Sequence, residues 1–261
     1  MKTMNVTCLG TGTSTGVPEI GCSCAVCQSN DPRDNRLRAS VLVETAGKRI
    51  LIDCGPDFRQ QMIRSRIYQL DGILLTHEHY DHVGGLDDLR PYCRQGAVPI
   101  YAESDVVEAI ETRIPYVFRA HPYPGVPRLA LHTISLEPFE VAGVLIQPIR
   151  VMHGRLPILG FRIGNFAYLT DILTLPETEV PKLQGVDVLV LDALREAEHP
   201  SHESVPQALA LIDRLQPKQA YLTHMSHRIG LHAVAEQSLP AHVQYAYDGL
   251  EIELVSNKSI I

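Results

Sequence analysis

Short runs of apolar residues recur along the chain and indicate a protein built on β-strands. Runs rich in β-branched, aromatic and other apolar residues, a composition typical of strands, lie at 4–9, 40–45, 49–53, 73–75, 98–102, 144–151, 166–169, 186–191, 219–222, 243–247 and 250–255. Segments with helical signals separate some of them, at 57–66, 86–92, 104–114, 204–215 and 231–238. We expect Asp57, Ser104 and a Ser204–Gln207 capping box to begin three of these helices. The order of strands and helices is compatible with an α+β protein.

Several of the predicted strands end at a side chain that can bind a metal ion. The residues that follow the later strands are His153, Asp171, Asp192 and His224. Ligands gathered at strand ends converge at one rim of a sheet sandwich, where irregular loops leave room for a substrate. Strand 49–53 ends at Asp53, which either orients a ligand histidine or is a plain turn residue.

The densest group of such side chains follows strand 73–75, where His77, His79, Asp81 and His82 lie close together. Repulsion and desolvation penalise such a cluster, and a bound cation removes both penalties. In an extended segment His77 and His79 point to the same side, so two neutral imidazoles can share one metal ion. The following turn directs Asp81 and His82 toward a second position. These ligands suit zinc, manganese, iron or nickel, and the alternative is a polar loop that happens to be rich in histidine.

Three cysteines near the start form a second candidate metal site. Cys22, Cys24 and Cys27 are close enough in sequence for one tetrahedral zinc ion, with a fourth ligand from far along the chain. Free or redox-active thiols are the alternative. The preceding stretch 10–16 is rich in glycine, but Pro18 follows where a dinucleotide-binding loop needs a helix, so a tight turn is the better interpretation.

Composition and charge exclude several classes of protein. The 261 residues are 45% apolar and 20% charged, which is ordinary for one large domain, and we expect a single domain over residues 1–261. The net charge of -7 argues against a general nucleic-acid surface, because phosphate backbones attract basic patches. With no membrane-spanning run and no signal-peptide core, we expect a cytoplasmic protein whose six cysteines are reduced or metal-bound.

The pattern His-x-His-x-Asp-His after a buried strand resembles the motif of the metallo-β-lactamase superfamily. The resemblance spans nearly the whole chain and implies a four-layer αββα sandwich of two mixed β-sheets. It also implies two divalent ions, Zn²⁺ or Mn²⁺, in the active site. By this resemblance one ion is held by His77, His79 and His153, the other by Asp81, His82 and His224, and Asp171 bridges them. Asp81 is expected to act in catalysis as well as in binding.

Two further features resemble the phosphoribosyl cyclic phosphate phosphodiesterases of the carbon–phosphorus lyase pathway. These features are the three-cysteine array and the segment Thr-His-Met-Ser-His that ends at His227. The resemblance implies a structural Zn²⁺ held by Cys22, Cys24, Cys27 and His227. It also implies that His202 assists catalysis, whereas without it His202 is a surface histidine beside a helix start. The surface excursion 115–127, rich in proline and aromatic residues, differs in sequence, and such a segment would shape substrate choice.

The function implied is a dinuclear metal-dependent phosphodiesterase that hydrolyses small phosphodiesters, such as cyclic ribose or nucleotide phosphates. The expected partner is therefore a small molecule, without membrane or nucleic acid, and a homodimer is left open. One alternative is a tRNA 3′-end processing endonuclease, which the acidic charge and the lack of a long basic arm disfavour. Another is a non-catalytic zinc scaffold or redox sensor built around the cysteines.

Overall fold

Two mixed β-sheets with helices on their outer faces make up the chain. The computed structural model describes residues 2–256, so residue 1 and residues 257–261 of the predicted domain lie outside it. The first sheet contains β1 (Lys2–Gly10), β2 (Ser40–Thr45), β3 (Lys48–Ile52), β4 (Gly72–Leu74), β5 (Val98–Ala102), β6 (Leu129–Thr133) and, from the end of the chain, β14 (Glu251–Ser256). The second contains β7 (Phe139–Val141), β8 (Val144–His153), β9 (Leu156–Ile163), β10 (Phe166–Leu169), β11 (Val188–Asp192), β12 (Gln219–Thr223) and β13 (Val243–Tyr245).

The helices are mostly short. They are α1 (Phe58–Ser65), α2 (Tyr80–Val83), α3 (Ser104–Arg113), α4 (Val180–Leu183), α5 (Val205–Leu215) and α6 (His232–Ala235). Segments of 3-10 helix lie at Pro32–Asp34, Leu86–Gln95, Glu177–Glu179, His227–Ile229 and Glu236–Ser238. Among residues 2–256, none of these helices has the length and apolar character needed to span a bilayer.

Both sheets have seven strands and the same pattern of pairing. Their orders are β14-β1-β2-β3-β4-β5-β6 and β13-β12-β11-β10-β9-β8-β7. In each sheet three antiparallel pairs are followed by three parallel pairs, which join β3 to β6 and β10 to β13. The carboxyl ends of parallel strands meet at one edge of a sheet, so this pairing gathers the residues that follow β4, β10, β11 and β12.

Alternating side chains place the apolar residues in three separate clusters. In β3, Leu51 packs outward with Phe58 and Met62 of α1, whereas Ile50 and Ile52 pack between the two sheets. The outer face of the second sheet packs in the same way against α5. Three clusters separate four layers, and the predicted αββα sandwich of two mixed sheets is confirmed.

The local predictions differ from the structure at several elements. Strands β6, β7 and β9 and helix α4 were not predicted, and the segment after residue 86 is a 3-10 helix. In β9, Pro157 and Gly160 interrupt the strand signal, yet a Cβ at Gly160 would lie 2.9 Å from the backbone carbonyl oxygen of Tyr168, which favours glycine there. Asp57 makes no capping hydrogen bond, and Glu103 takes the N-cap position of α3 in place of the predicted Ser104, whereas the Ser204–Gln207 capping box is present.

Candidate metal centre

The predicted ligands of the two active-site ions converge at the edge where the parallel strands end. They form two groups whose ligand atoms lie within 4.8 Å of one another: His77, His79 and His153, and Asp81, His82, Asp171 and His224. Each group contains side chains from both sheets. His77, His79, Asp81 and His82 follow β4 of the first sheet, whereas His153 ends β8 and Asp171 and His224 follow β10 and β12 of the second sheet. The structure therefore brings all seven together.

In the first group, hydrogen bonds fix which imidazole nitrogens face the centre. Nδ1 of His77 lies 2.9 Å from the Thr76 hydroxyl, and Nδ1 of His153 donates to the Ser201 carbonyl at 2.8 Å. Nε2 of His77 lies 2.9 Å from Nδ1 of His79. Burial lowers the pKa of both His77 and His153, which favours the neutral imidazole that binds metal ions.

In the second group, the distances between ligand atoms match the edges of a coordination polyhedron. Nε2 of His82 is 3.1 Å from an oxygen of Asp81 and 3.1 Å from one of Asp171, and Nε2 of His224 is 3.3 Å from the other Asp171 oxygen. Two ligand atoms that are each about 2.1 Å from one tetrahedral ion lie about 3.4 Å apart. Among the described residues, both Nε2 atoms are buried without a hydrogen-bond partner. The residues present therefore fit a divalent ion.

The charges of the second group compensate one another. Burial alone would lower the pKa of His82, but the carboxylates of Asp171, Asp53 and Asp81 outweigh it and raise that pKa well above its usual value. Burial would likewise raise the pKa of Asp171, but His224 and His82 hold it well below its usual range. A cation bound here would take over the role of the imidazole protons, since it neutralises the same carboxylates.

Asp53 lies behind the second group and orients one of its ligands. Its Oδ2 is 2.7 Å from Nδ1 of His82, and its Oδ1 accepts hydrogen bonds from the backbone and hydroxyl of Thr76 at 2.9 and 3.0 Å. This carboxylate directs Nε2 of His82 toward the ligand cluster. The interpretation of Asp53 as an orienting residue is confirmed in its geometry.

The backbone at the site adopts conformations that few residues tolerate. Asp53, Asp171 and His224 have φ values of 65°, 55° and 58°, in the left-handed region. Aspartate and histidine enter this region more readily than β-branched residues, and such strained positions cluster at functional sites. The left-handed turns let these side chains leave the strand ends toward the cleft.

His202 lies at the site and is not a surface residue. It is 8% exposed, its ring lies 4.9 Å from that of His224, and its Nδ1 is 3.0 Å from Oδ2 of Asp192. Burial and, to a lesser extent, electrostatic repulsion from His224 lower the pKa of His202 to about 4. Burial raises the pKa of Asp192 well above its usual value. The buried pair therefore favours its neutral form.

Two residues of this region received no specific role from the sequence. The first is Asp192, which was noted only as a strand-end side chain of the metal-binding type, and its contact with His202 was not predicted. The second residue is His199, whose ring lies 5.2 Å from that of His202 and whose Nδ1 is 3.2 Å from the Ser201 hydroxyl. No regular spacing connects His199 to the metal motif, so sequence patterns could not identify it.

The three cysteines form a separate group with His227, as the resemblance implied. The ligand atoms of Cys22, Cys24, Cys27 and His227 lie within 4.8 Å of one another. The Cys27 sulfur is 3.5 Å from Nδ1 of His227, and a thiolate and an imidazole on one zinc ion would be about 3.6 Å apart. All six cysteines are free thiols. His227 is three residues beyond His224, so the cysteine group contacts the loop that follows this candidate ligand.

The glycine-rich stretch leads into an irregular loop. Thr13 donates its backbone N–H to the Met225 carbonyl at 3.1 Å, and Met225 donates to the Thr11 carbonyl at 2.9 Å. The stretch is thus tied to the segment that follows His224, and no helix follows where a dinucleotide fold would require one. This arrangement excludes a dinucleotide-binding loop at residues 10–16.

Comparisons with known proteins agree with this fold. A Beta-lactamase superfamily domain matches residues 48–225. A protein named octanoyltransferase from Porphyromonas gingivalis (strain ATCC BAA-308 / W83) is 49% identical over 255 residues, which are 97% of this chain and 52% of that protein. The chain thus spans about half the length of this relative.

Two solved structures extend the comparison. A diphosphatase from the PhnP family superposes with a TM-score of 0.91 at 41% identity, over 97% of this chain and 98% of that one. The short form of human tRNase Z superposes with a TM-score of 0.69 at 22% identity, over 95% and 98%, which is a likeness of fold. The fold of this family implies bound divalent metal ions, and the ligand groups described above are where they fit. The chain therefore belongs to the beta-lactamase superfamily.

Proposed function

We propose that the protein is a dinuclear metal-dependent phosphodiesterase that acts on small phosphodiesters. The observation that carries this proposal is the second ligand group, in which Asp81 and Asp171 adjoin the three-histidine group. Carboxylates beside imidazoles suit a pair of divalent ions, and paired ions are typical of enzymes that cleave phosphate esters. The likeness to a PhnP-family diphosphatase supports a substrate with phosphate groups.

Each ligand has a position in this proposal. One ion would be held by His77, His79 and His153, the other by Asp81, His82 and His224, with Asp171 as the bridge between them. The geometry of Asp171 supports the bridge, since its ligand atoms lie close to both His153 and the second group. Bound ions of this kind lower the pKa of a water and neutralise charge on the phosphate.

His202 donates the proton that the leaving oxygen requires. With Asp192 protonated, its O–H donates to Nδ1 of His202, so that the imidazole carries its own proton on Nε2. This is the neutral form that burial favours for the pair. As the P–O bond breaks, Nε2–H goes to the leaving oxygen and Asp192 passes its proton to Nδ1. Water adds its hydroxyl group to phosphorus and releases one proton to solvent, and a proton from solvent restores Asp192, so the products are a phosphomonoester and an alcohol.

Cys22, Cys24, Cys27 and His227 hold a structural Zn²⁺ in this proposal. An ion there fixes the loop that follows β12, and with it the orientation of His224. Burial raises the pKa of the Cys27 thiol to about 11, whereas a hydrogen bond from the Cys27 backbone lowers the pKa of Cys24. A bound cation would deprotonate both sulfurs.

The substrates that fit best are small esters. The net charge of -7 disfavours a polyanionic polymer, so cyclic ribose phosphates, 2′,3′-cyclic nucleotides and diphosphate diesters are better candidates than tRNA. The likeness to human tRNase Z supports the fold alone. The name octanoyltransferase describes a protein about twice as long, and the ligand groups of this chain favour hydrolysis.

The test compares substrates with manganese- or zinc-loaded protein. We expect hydrolysis of cyclic ribose phosphates, 2′,3′-cyclic nucleotides or diphosphate diesters, with poor turnover of phosphomonoesters. An Asp171→Ala variant should lack this activity and keep its circular dichroism spectrum. Efficient cleavage of a pre-tRNA or a β-lactam, with the small esters untouched, would overturn the proposal.

A further inference from the structure

A second concave region lies in the surface excursion that follows α3. Its volume is about 420 Å³, and its walls include Arg90, Tyr116, Arg119, His121 and Tyr123. We call it the arginine–tyrosine pocket. Ligand pockets for small molecules typically measure about 300–1,000 Å³, so this cavity can hold a group of the size of a nucleoside phosphate.

Two contacts connect this pocket to the metal-binding loop. Arg113, at the end of α3, hydrogen-bonds to the carbonyl of Glu78, which lies between His77 and His79. Tyr116 donates its hydroxyl proton to Asp87 at 2.6 Å. Asp87 is five residues beyond His82. Through Arg113 and Tyr116, the excursion that forms the pocket is therefore bonded to the chain segment that carries His77, His79 and His82.

The side chains of the pocket suit an anion that carries an aromatic ring. Among the described residues, neither Arg119 nor His121 makes an ion pair, whereas Arg90 is paired with Asp87. A guanidinium binds phosphate oxygens in a planar, bidentate arrangement. Tyr116 is held in place by its hydrogen bond, and Tyr123 is 77% exposed. Exposed tyrosine rings stack on nucleobases irrespective of the base.

Gly125 determines where the ring of Tyr123 can lie. A Cβ atom at position 125 would be 2.7 Å from Cε1 of Tyr123, so any larger residue would push the ring away. The glycine thus permits the tyrosine ring to pack against the backbone beneath it. A Gly125→Ala substitution should displace this ring without removing any polar group of the pocket.

We propose that the arginine–tyrosine pocket binds the nucleotide portion of the substrate, with Arg119 and His121 on a phosphate and Tyr123 stacked on the base. This inference rests on the proposed phosphodiesterase function and specifies its substrate class, a nucleotidyl ester or nucleoside diphosphate derivative. The bond that is cleaved lies at the metal centre, and the pocket fixes the part of the molecule that does not react.

The test compares two substrates of the metal-loaded enzyme, ADP-ribose, which carries a base, and ribose 1,2-cyclic phosphate, which has none. Arg119→Ala, Tyr123→Ala and Gly125→Ala should each raise KM for ADP-ribose by about tenfold, with kcat nearly unchanged. The same variants should leave the kinetics of the cyclic phosphate unaltered. Arg59→Ala, at an exposed arginine of α1, is the matched control and should affect neither substrate.

A separate binding experiment distinguishes failure of the pocket from failure of the proposed function. Calorimetric titration with AMP needs no turnover, and wild-type protein should bind AMP about tenfold more tightly than Tyr123→Ala. If neither ester is hydrolysed but AMP still binds with this dependence, the pocket is supported and the phosphodiesterase proposal fails. Absence of AMP binding, or equal KM changes for both substrates, overturns the pocket.

Discussion

Replacing Asp53 by asparagine should weaken metal binding at the second ligand group without removing any ligand. The carboxylate uses Oδ1 for Thr76 and Oδ2 for Nδ1 of His82. An asparagine can keep its carbonyl oxygen on Thr76, but its NH₂ group then faces Nδ1. Two donors cannot share that contact, so the imidazole moves its proton to Nε2, the atom directed at the ligand cluster.

The expected loss is set by the cost of this misplaced proton. Substituting a group that orients a metal ligand typically lowers metal affinity by about 10- to 100-fold. This corresponds to roughly 1.4–2.8 kcal/mol at 25 °C. The variant keeps its hydrogen bonds to Thr76 and its side-chain volume, so the apoprotein should still fold, but it should unfold at a lower temperature because His82 loses a compensating carboxylate. The group formed by His77, His79 and His153 should retain its metal, because the hydrogen bonds of the Asp53 side chain go to Thr76 and His82.

The assay is competition with a chromophoric chelator, which counts ions and ranks their affinities. Nitrogen-15 NMR of the histidine rings should show the His82 proton shifted to Nε2 in the variant. Asp248→Asn is the matched control, because Asp248 is also buried and hydrogen-bonded to Thr11, but lies outside the ligand groups. Two ions bound with wild-type affinity in Asp53→Asn would refute the orienting role.

The remaining predictions concern substitutions of single residues in the two metal sites and of His202. Cys24→Ser should lower zinc content by about one ion per chain and lower the unfolding temperature, and unchanged elemental analysis would exclude the structural zinc site. Cys93→Ser, at a buried thiol outside that group, should keep its metal. Asp171→Ala should abolish turnover, and a variant that still hydrolyses small diesters would show that no bridge is needed. His202→Ala should keep its metal yet lose about 10²–10⁴-fold in kcat, and near-normal rates on a poorly activated leaving group would reject it as the acid.

The convergence of the candidate ligands was predictable because their signal is local or falls at a strand end. His77, His79, Asp81 and His82 follow one short strand, and a cluster of this kind is costly without a cation. His227 was available only through resemblance, since it meets Cys27 across 200 positions of the chain. No spacing rule connects ligands that the fold brings together from such a distance.

Other parts of the fold depend on tertiary packing that a local pattern does not contain. Strand β6 is only partly buried, so its residues lack the strict alternation that marks a half-buried strand. The contact between Asp192 and His202 likewise follows from the pairing of β11 with β10 and β12 and from the course of the loop before α5. The left-handed backbone at Asp171 and His224 has no sequence signature comparable to glycine.

Each ligand group takes side chains from both sheets, and this has a consequence for unfolding. A metal ion can bind all the ligands of a group only while the strand ends of the two sheets lie against each other, so a bound ion links the two sheets. By mass action, a bound ion stabilises the state in which the two sheets are packed together. It does not stabilise a state in which the sheets have separated and the ligands are apart. Removal of the metal should therefore weaken the packing between the two sheets before it disturbs either sheet. Amide hydrogen exchange should then accelerate first at the strand ends that carry the ligands.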